Sequence, residues 1–354
     1  MTTSALMPTI VRNTDTQIWQ DVDWLIHSPF LVQGLAHYPA AQFNPEQQRA
    51  LQQYLLSSDS TKDIQTIGKR SRLGLYAEDL LGLALSHCPS ITLLYQHFPI
   101  QEKLFKGTKT IGELDYIWQD KTTQRIHHWE LAVKLYLYIP KESDIALTPL
   151  TLTKEDIQLL QQNNDITDEQ AYALLNHLDR FIGTQKKDTL LRKLLHLQKK
   201  QLPLAQQVAQ QLALPITQSA YFMKGWLFYP LKSDATIDAD TWSDYLEPSE
   251  LPWIHSHHLR GWWLKIDNFI ERLKQSPQHW RWKILPRLQW LSRHQCPLQE
   301  TVESKEILST LYSQWQLFEN HNEEAQPLLL CALQANQYGA WEEVHRGFVV
   351  PHSF

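Results

Sequence analysis

Only three cysteines, Cys88, Cys296 and Cys331, occur in 354 residues, an odd number at wide spacings that fits neither a disulfide framework nor a zinc ligand set. They read as reduced, packed thiols. No apolar run reaches the roughly 18 residues that a membrane helix needs, and the opening MTTSALMPTIVRNTDTQ lacks the basic-then-apolar layout of a secretion signal. The expectation is a cytoplasmic protein. Also missing are G-x-x-x-x-G-K-[ST], G-x-G-x-x-G and G-x-S-x-G, so an ATP-driven motor and a dinucleotide enzyme lack their phosphate cradle and a serine hydrolase its nucleophile elbow. Internal repeats and low-complexity tracts are absent. The net charge of −5 argues against a chain coated in basic charge for indiscriminate nucleic-acid binding.

What is present is an ordinary globular balance, 43% hydrophobic and 20% charged, enough for a substantial core. The charge is uneven. Residues 176–201 carry Arg180, Lys186, Lys187, Arg192, Lys193, Lys199 and Lys200 against Asp179 and Asp188, and residues 260–293 carry eight Lys or Arg against Asp267 and Glu271. Stretches 142–169 and 300–324 are acidic.

Residues 41–57 look helical, and SRLGLYAEDLLGLALSHCPS (71–90) reads as a helix buried nearly all round and closed by Pro89. Gly74, Glu78, Leu81 and Leu85 share one face of it, which turns Glu78 inward. Three strand-like runs follow, at 91–100, 111–118 and 126–138, joined by short turns as in an antiparallel meander. An acidic excursion, the basic amphipathic helix TLLRKLLHLQKKQ (189–201) and a strand-like run at 220–231 come next. From about 240 the chain is rich in Trp and base, and QPLLLCALQA and HRGFVVP resemble a closing pair of strands. The predicted divisions are an N-terminal helical arm (1–65), a core (66–240, with an insertion at about 140–188) and a C-terminal region (241–354).

The chemistry concentrates in IGELDYIWQDKTTQRIHHWELAVKLYLY, residues 111–138. If the two strands form a hairpin centred between Thr122 and Thr123, Asp115 stands directly across from Glu130, and a one-residue slip would separate them to opposite faces. In that register Leu114, Tyr116 and Trp118 join Trp129, Leu131, Val133, Leu135 and Leu137 on an apolar face. Asp115, Glu130, Ala132 and Lys134 share the other, and only His128 of the two neighbouring histidines has the parity to face them. Like charges across a strand pair repel. A divalent cation would reconcile them, since Mg²⁺ takes one or two carboxylates and leaves room for water and phosphate oxygen. A proton on one carboxylate, or pairing with Lys134, would also do so.

Helix with inward Glu78, strand, Gly112-Glu113-Leu114-Asp115, then Glu130 with a downstream lysine, then helix and strand, resembles the core of the PD-(D/E)XK nuclease superfamily, the G-x-x-D form being similar to its RecB-like and resolvase branches. At finer grain RLGLYAEDLLG, TIGELDYIW, HHWELAVKLYLY, KGWLFYPL, LRGWW and HRGFVVP look like the bacterial domain-of-unknown-function family numbered 1853, over most of the chain. The superfamily resemblance implies an α/β fold, a restriction-endonuclease-like αβββαβ core with a mixed sheet, here with an N-terminal helical arm and a C-terminal α+β extension. It implies Asp115, Glu130 and the Leu131 carbonyl as ligands of Mg²⁺ or Mn²⁺, Glu78 reaching the metal through water, and a catalytic lysine. The usual pattern is E-x-K, whereas here Ala132 holds the lysine position and Lys134 sits two residues on, about 6.6 Å along the strand. Lys224, Lys103 and Gln198 are accessory candidates.

Arg192, Lys193, Lys199 and Lys200 could line a groove for phosphates, although a Lys-rich face is commonly just solvated. Trp262, Trp263, Trp280, Trp282 and Trp290 could stack bases while Arg260, Arg281, Lys283 and Arg287 hold a backbone, although core packing explains most tryptophans. His255, His257 and His258 read as surface histidines rather than a metal cluster. The resulting expectation is a metal-dependent phosphodiesterase acting on nucleic acid, expected to be DNA. Its rival is an inactive descendant of the same fold that binds nucleic acid or protein.

Overall fold

The computed structural model describes residues 14–34, 38–57, 67, 70–103, 107–148, 150–161, 167–232, 240–248, 253–321 and 323–354. The predicted meander is present as β1 (Ile91–Lys103), β2 (Thr108–Asp120) and β3 (Ile126–Tyr138), successive neighbours being antiparallel. Strand β5 (Ile216–Pro230) then lies parallel to β3. The return to the parallel direction needs a crossover, which is helical: α6 (Leu190–His196), a π-helical turn over Leu197–Gln201, and α7 (Leu202–Leu212).

Ahead of the sheet come α1 (Thr14–His27), α2 (Pro45–Leu55) and α3 (Leu73–His87). Asn44 starts α2 by a capping box with Gln47. Helix α3 buries Tyr76, Ala77, Leu80, Leu81, Ala84 and Leu85, and stops where Cys88 turns extended before Pro89. The insertion forms α4 (Lys154–Gln161), α5 (Asp168–Asp179) and the short β4 (Phe181–Gly183). Leu175 and Leu178 of α5 pack with Leu190, Leu191 and Leu194 of α6 in a cluster that also takes in Ala132, Tyr136, Tyr221 and Met223. On the opposite face of the sheet Tyr116, Trp118, Trp129, Leu131, Leu135 and Leu137 pack with the N-terminal helices. The alternation expected of β3 is therefore observed, while Leu114 sits apart with Ile100, Ile117, Ile126 and Ala205.

Beyond residue 240 the chain adds β6 (Leu259–Lys265), α8 (Ile266–Lys274), β7 (Arg281–Ile284), β8 (Gln295–Cys296), α9 (Ser304–Asn320), β9 (Leu328–Ala335) and β10 (Trp341–Val350). The strand order is β1-β2-β3-β5-β6-β10-β9-β7, with β4 beside β3 and β8 beside β10. This is a mixed α/β architecture on one sheet. The boundary drawn at 240 falls between β5 and β6, which are hydrogen-bonded neighbours, and the one drawn at 65 lies outside the described residues. One cluster draws on Leu25, Leu85, Phe222 and Val350 together.

Of the two readings of the tryptophans, core packing is the one their burial supports. Trp262, Trp280 and Trp282 pack with Trp242 and Phe269 beneath α8 and α9, and Trp263 and Trp290 lie in the main core. None is more than 8% exposed, so no indole face is open to a base.

Gly112 and Gly225 are among the closely packed glycines. A Cβ on Gly112 would come within 2.4 Å of the Leu204 side chain, so its absence lets α7 close onto β2. Gly225 has φ +153, and a Cβ there would lie 1.8 Å from the Lys134 carbonyl oxygen, a backbone atom that cannot move without breaking the β3–β5 ladder. Gly225→Ala is therefore expected to lower unfolding free energy by at least about 2 kcal/mol, measured by urea denaturation; a loss within experimental error would show that the strand yields.

Candidate functional site

The register of β2 and β3 pairs Tyr116 with Trp129, Ile117 with His128, Trp118 with His127 and Gln119 with Ile126, which is the hairpin register expected from the sequence. Pairing stops at Trp129, one step before Asp115 and Glu130. Strand β4 takes up an antiparallel position against β3 only at Tyr136–Tyr138, while the opposite edge of β3 stays paired with β5 throughout. Between Glu130 and Leu135 one edge of β3 thus has no strand beside it. Buried backbone groups need partners. Asp115 supplies one with its side chain, Oδ2 accepting from the Leu131 N–H at 2.8 Å. The N–H and C=O of a strand residue point to one edge, so the Leu131 carbonyl faces the same gap.

Glu130 lies beside it and is completely buried. Its Oε1 is in hydrogen-bond contact with His128 Nε2 at 2.7 Å and 3.5 Å from the Asp115 backbone nitrogen. Its Oε2 accepts from Gln201 Nε2 at 2.7 Å. Gln201 in turn accepts through Oε1 from Lys193 Nζ at 2.8 Å, which forms a chain Lys193–Gln201–Glu130. His128 Nδ1 is 3.2 Å from Ser219 Oγ on β5. Glu78 stands at the outer rim, 21% exposed, with Oε2 3.7 Å from His97 Nδ1. The same nitrogen is 3.3 Å from Glu113 Oε1. His97 opposes Asp115 across β1–β2, between the pairs Gln96–Tyr116 and Phe98–Leu114, and holds φ at 55°, a region that costs a non-glycine residue energy and is enriched at functional sites.

Among the described residues no lysine or arginine forms an ion pair with Asp115 or Glu130. Burial pushes Asp115 up to about 8, helped by the Glu130 charge, while the Leu131 N–H and Lys193 oppose it. Burial likewise pushes Glu130 up to about 8 against the pull of Lys193. Burial also raises Glu78, with His97 opposing and Glu113 adding, and it lowers His128 to about 4, keeping the imidazole neutral. Lys193 is held below the usual ammonium range, first by burial and then by Lys134. All the oxygens that line the gap are hard donors, the set that suits Mg²⁺ or Mn²⁺.

Several predicted site residues are elsewhere. Lys134 Nζ is 2.7 Å from Asp188 Oδ2, which also accepts from Tyr136 OH at 3.0 Å, so Lys134 serves the insertion rather than the carboxylates. Lys224 cannot complete the site: it is on the other face of β5, donating to the Ser28 carbonyl and lying 4.0 Å over the Phe30 ring. The glutamine bonded to Glu130 is Gln201 and not Gln198, because the π-helical turn inserts a residue and rotates the helix surface that follows. The side chain of Lys103 lies outside the described residues.

The basic residues also differ from expectation. Lys193 is at the carboxylates, whereas Arg192 donates to the Thr148 carbonyl at 3.1 Å and Lys199 pairs with Asp156 at 2.8 Å. Lys200 is exposed. Arg260 pairs with Glu247, Arg281 with Glu303 and Lys283 with Glu300, while Arg287 lies 5.9 Å from the Trp290 ring centre. Arg281 and Lys283 are on β7, five strands from β3, or roughly 24 Å. The C-terminal basic block does not border the carboxylates. Away from the site, His258 Nε2 turns inward to Tyr229 OH at 2.8 Å. His294, Cys296 and Glu300 bring donor atoms within 4.8 Å of one another, with Glu300 already 2.5 Å from Lys283. The three cysteines are free and buried, and no helix among the described residues is long and apolar enough to cross a membrane.

Sequence reasoning missed His97, Glu113 and Gln201, and gave Lys193 only a phosphate-contact role. The available signal for Lys193 was its position among the leucines of an amphipathic helix.

A family model described as a domain of unknown function, DUF1853, matches residues 20–148 and 159–350. No curated protein and no solved structure matches the chain.

An acid whose folded pKa is raised holds its proton more tightly than in the unfolded chain. Its stabilising contribution is complete below about pH 4 and is lost as the pH rises through about 8. In chelator, stability should therefore fall between these limits, by up to about 1.4 kcal/mol per pH unit for each such group. Glu130→Gln should flatten the profile, measured by denaturant titration at successive pH values. A variant profile parallel to the wild type would show that Glu130 titrates normally.

Proposed function

The chain belongs to the family described as a domain of unknown function, DUF1853, and from the chemistry of its site we propose that it is a metal-dependent phosphodiesterase acting on nucleic acid, expected to be DNA. The observation that carries this reading is a pair of carboxylates, the half-buried Asp115 and the fully buried Glu130, meeting at an unpaired strand edge with no ion-pairing cation among the described residues. Asp115 has a structural use as partner of the Leu131 N–H, but burying a second acid, Glu130, beside it with no such cation is costly. The two are an effective cation site, because a divalent ion offsets both charges.

The topology supports the same reading. Helix α3, antiparallel β1, β2 and β3, the crossover helices and parallel β5 follow the order of a restriction-endonuclease-like core of the PD-(D/E)XK kind. On this proposal Asp115, Glu130 and the Leu131 carbonyl hold Mg²⁺ or Mn²⁺, and Glu78 acts through water. The bound ion would supply an activated water and polarise the phosphate. Lys193, delivered from α6 and held by Gln201, takes the charge-balancing role that Ala132 cannot, stabilising the phosphate as it gains negative charge. Lys134 stays with Asp188.

A second reading has its own support. Glu130 is 0% exposed with both oxygens hydrogen-bonded, and much of the C-terminal basic block is spent on ion pairs. A nuclease-fold module that binds without turnover would look like this.

Purified protein with Mg²⁺ or Mn²⁺ and labelled single-stranded, duplex and branched DNA separates the two. Cleavage is expected to fall by about 10²-fold or more in Asp115→Asn and Glu130→Gln. Lys193→Met should lose at least about 10-fold, whereas Lys134→Met should stay within about 3-fold of wild type. Undiminished cleavage in Asp115→Ala and Glu130→Ala would overturn the assignment. Salt-sensitive DNA binding without cleavage by any metal-loaded preparation would favour the second reading.

A further inference from the structure

We infer that a cavity on the opposite face of the sheet from the carboxylates, with Lys224 in its wall, is a binding site for a small organic anion: a carboxylate carried on a planar or apolar body. The cavity measures about 310 Å³ and lies between the end of α1, the start of α2 and β5, a volume at the lower end of ordinary ligand sites.

Lys224 is on β5 between Phe222 and Trp226, where a sheet interior takes apolar residues, and it is 1% exposed. A buried ammonium calls for a carboxylate partner. None is in ion-pair reach among the described residues. Its amine donates to the Ser28 carbonyl and faces the rings of Phe30 at 4.0 Å and Phe222 at 5.2 Å. One carbonyl uses one of three N–H donors. Ser28 Oγ, in the wall of the same cavity, is buried with no hydrogen-bond partner, an uncommon state for a hydroxyl in a native interior. The cavity wall therefore holds a buried amine with N–H donors to spare and a hydroxyl without a partner.

The rest of the wall bears on the ligand's other features. Phe30, Phe43 and Phe222 meet edge to face, at 5.6 Å and 6.3 Å between ring centres, and give the wall beside the amine an aromatic character. Among the described residues no Asp or Glu lines the cavity. The titratable groups that do, among the described residues, are Lys224, His27 and His255; the hydrogen bond to Asp23 raises His27, whereas burial lowers His255, with His257 and then Lys224 adding to it. His27 pairs with Asp23, 3.0 Å away. The local field thus selects an anion. Burial holds the Lys224 amine down to about 7, so a bound carboxylate, by favouring the ammonium, would draw a proton from solution on binding.

Calorimetry with benzoate as probe, on the full chain at pH 8 in two buffers of different ionisation enthalpy, tests this. The expected result is saturable binding with uptake of close to one proton. Lys224→Met should weaken it at least 10-fold while the circular dichroism spectrum is retained. Asp115→Asn, on the other face of the sheet, should bind benzoate as wild type does, which separates this site from the proposed nuclease centre. Should Lys224→Met fail to fold, limited trinitrobenzenesulfonate modification of the wild-type protein at pH 8 replaces it. Lys224 should then be labelled, and benzoate should suppress that labelling selectively. Absence of benzoate binding, binding without proton uptake, equal affinity in folded Lys224→Met, or Lys224 labelling indifferent to benzoate would each leave Lys224 as a cap on the end of α1 and overturn the proposal.

Discussion

The unpaired stretch along one edge of β3, from Glu130 to Leu135, is the constraint that organises the centre of this protein. Strand β2 leaves β3 after Trp129, and β4 arrives only at Tyr136. A sheet interior does not tolerate bare N–H and C=O groups, so side chains stand in for the missing strand. Asp115 bonds the Leu131 N–H, while Gln201 reaches in from the crossover to the Glu130 side chain. The polar residues of the centre follow from that geometry. So does the electrostatic tension, because the groups that fill the gap are acids removed from water.

The C-terminal region extends the same sheet. Its ties to the N-terminal helices are polar as well as apolar: buried Asp21 of α1 accepts from Tyr76 OH at 2.7 Å and from Ser292 Oγ at 2.6 Å. Arg346 of β10 is clamped by Glu343 and by the carbonyls of Trp290 and Ser292. Removing one partner of such a network leaves a buried charge or dipole unsatisfied. The N-terminal helices and β10 are thereby held to the segment between β7 and β8, and the centre of the sheet inherits a fixed frame on both sides.

The pairing of Asp115 with Glu130 was legible because side-chain alternation and loop symmetry specify a hairpin register locally. Gly112 was legible as part of a motif, though its reason, contact with Leu204 nearly a hundred residues later in the chain, was not. Lys134 was misjudged since its partner Asp188 comes from an insertion whose return to the sheet edge no local pattern announces. Gln201 was missed because sequence periodicity assumes a constant helical phase, which the turn at Leu197–Gln201 breaks. The tryptophan-rich segment shows a different failure. Interleaved Trp and Arg suit a nucleic-acid groove and a sheet edge under helices equally well, and only burial distinguishes them.

The π-helical turn has an evolutionary consequence. Lys193 and Gln201 meet because the wider turn between them brings both onto the side of the helix that faces Glu130. Substituting a residue within that interval leaves the phase intact, but losing one would swing every later side chain by roughly 100°. Relatives that keep this centre should therefore preserve the spacing of the segment more strictly than its spelling.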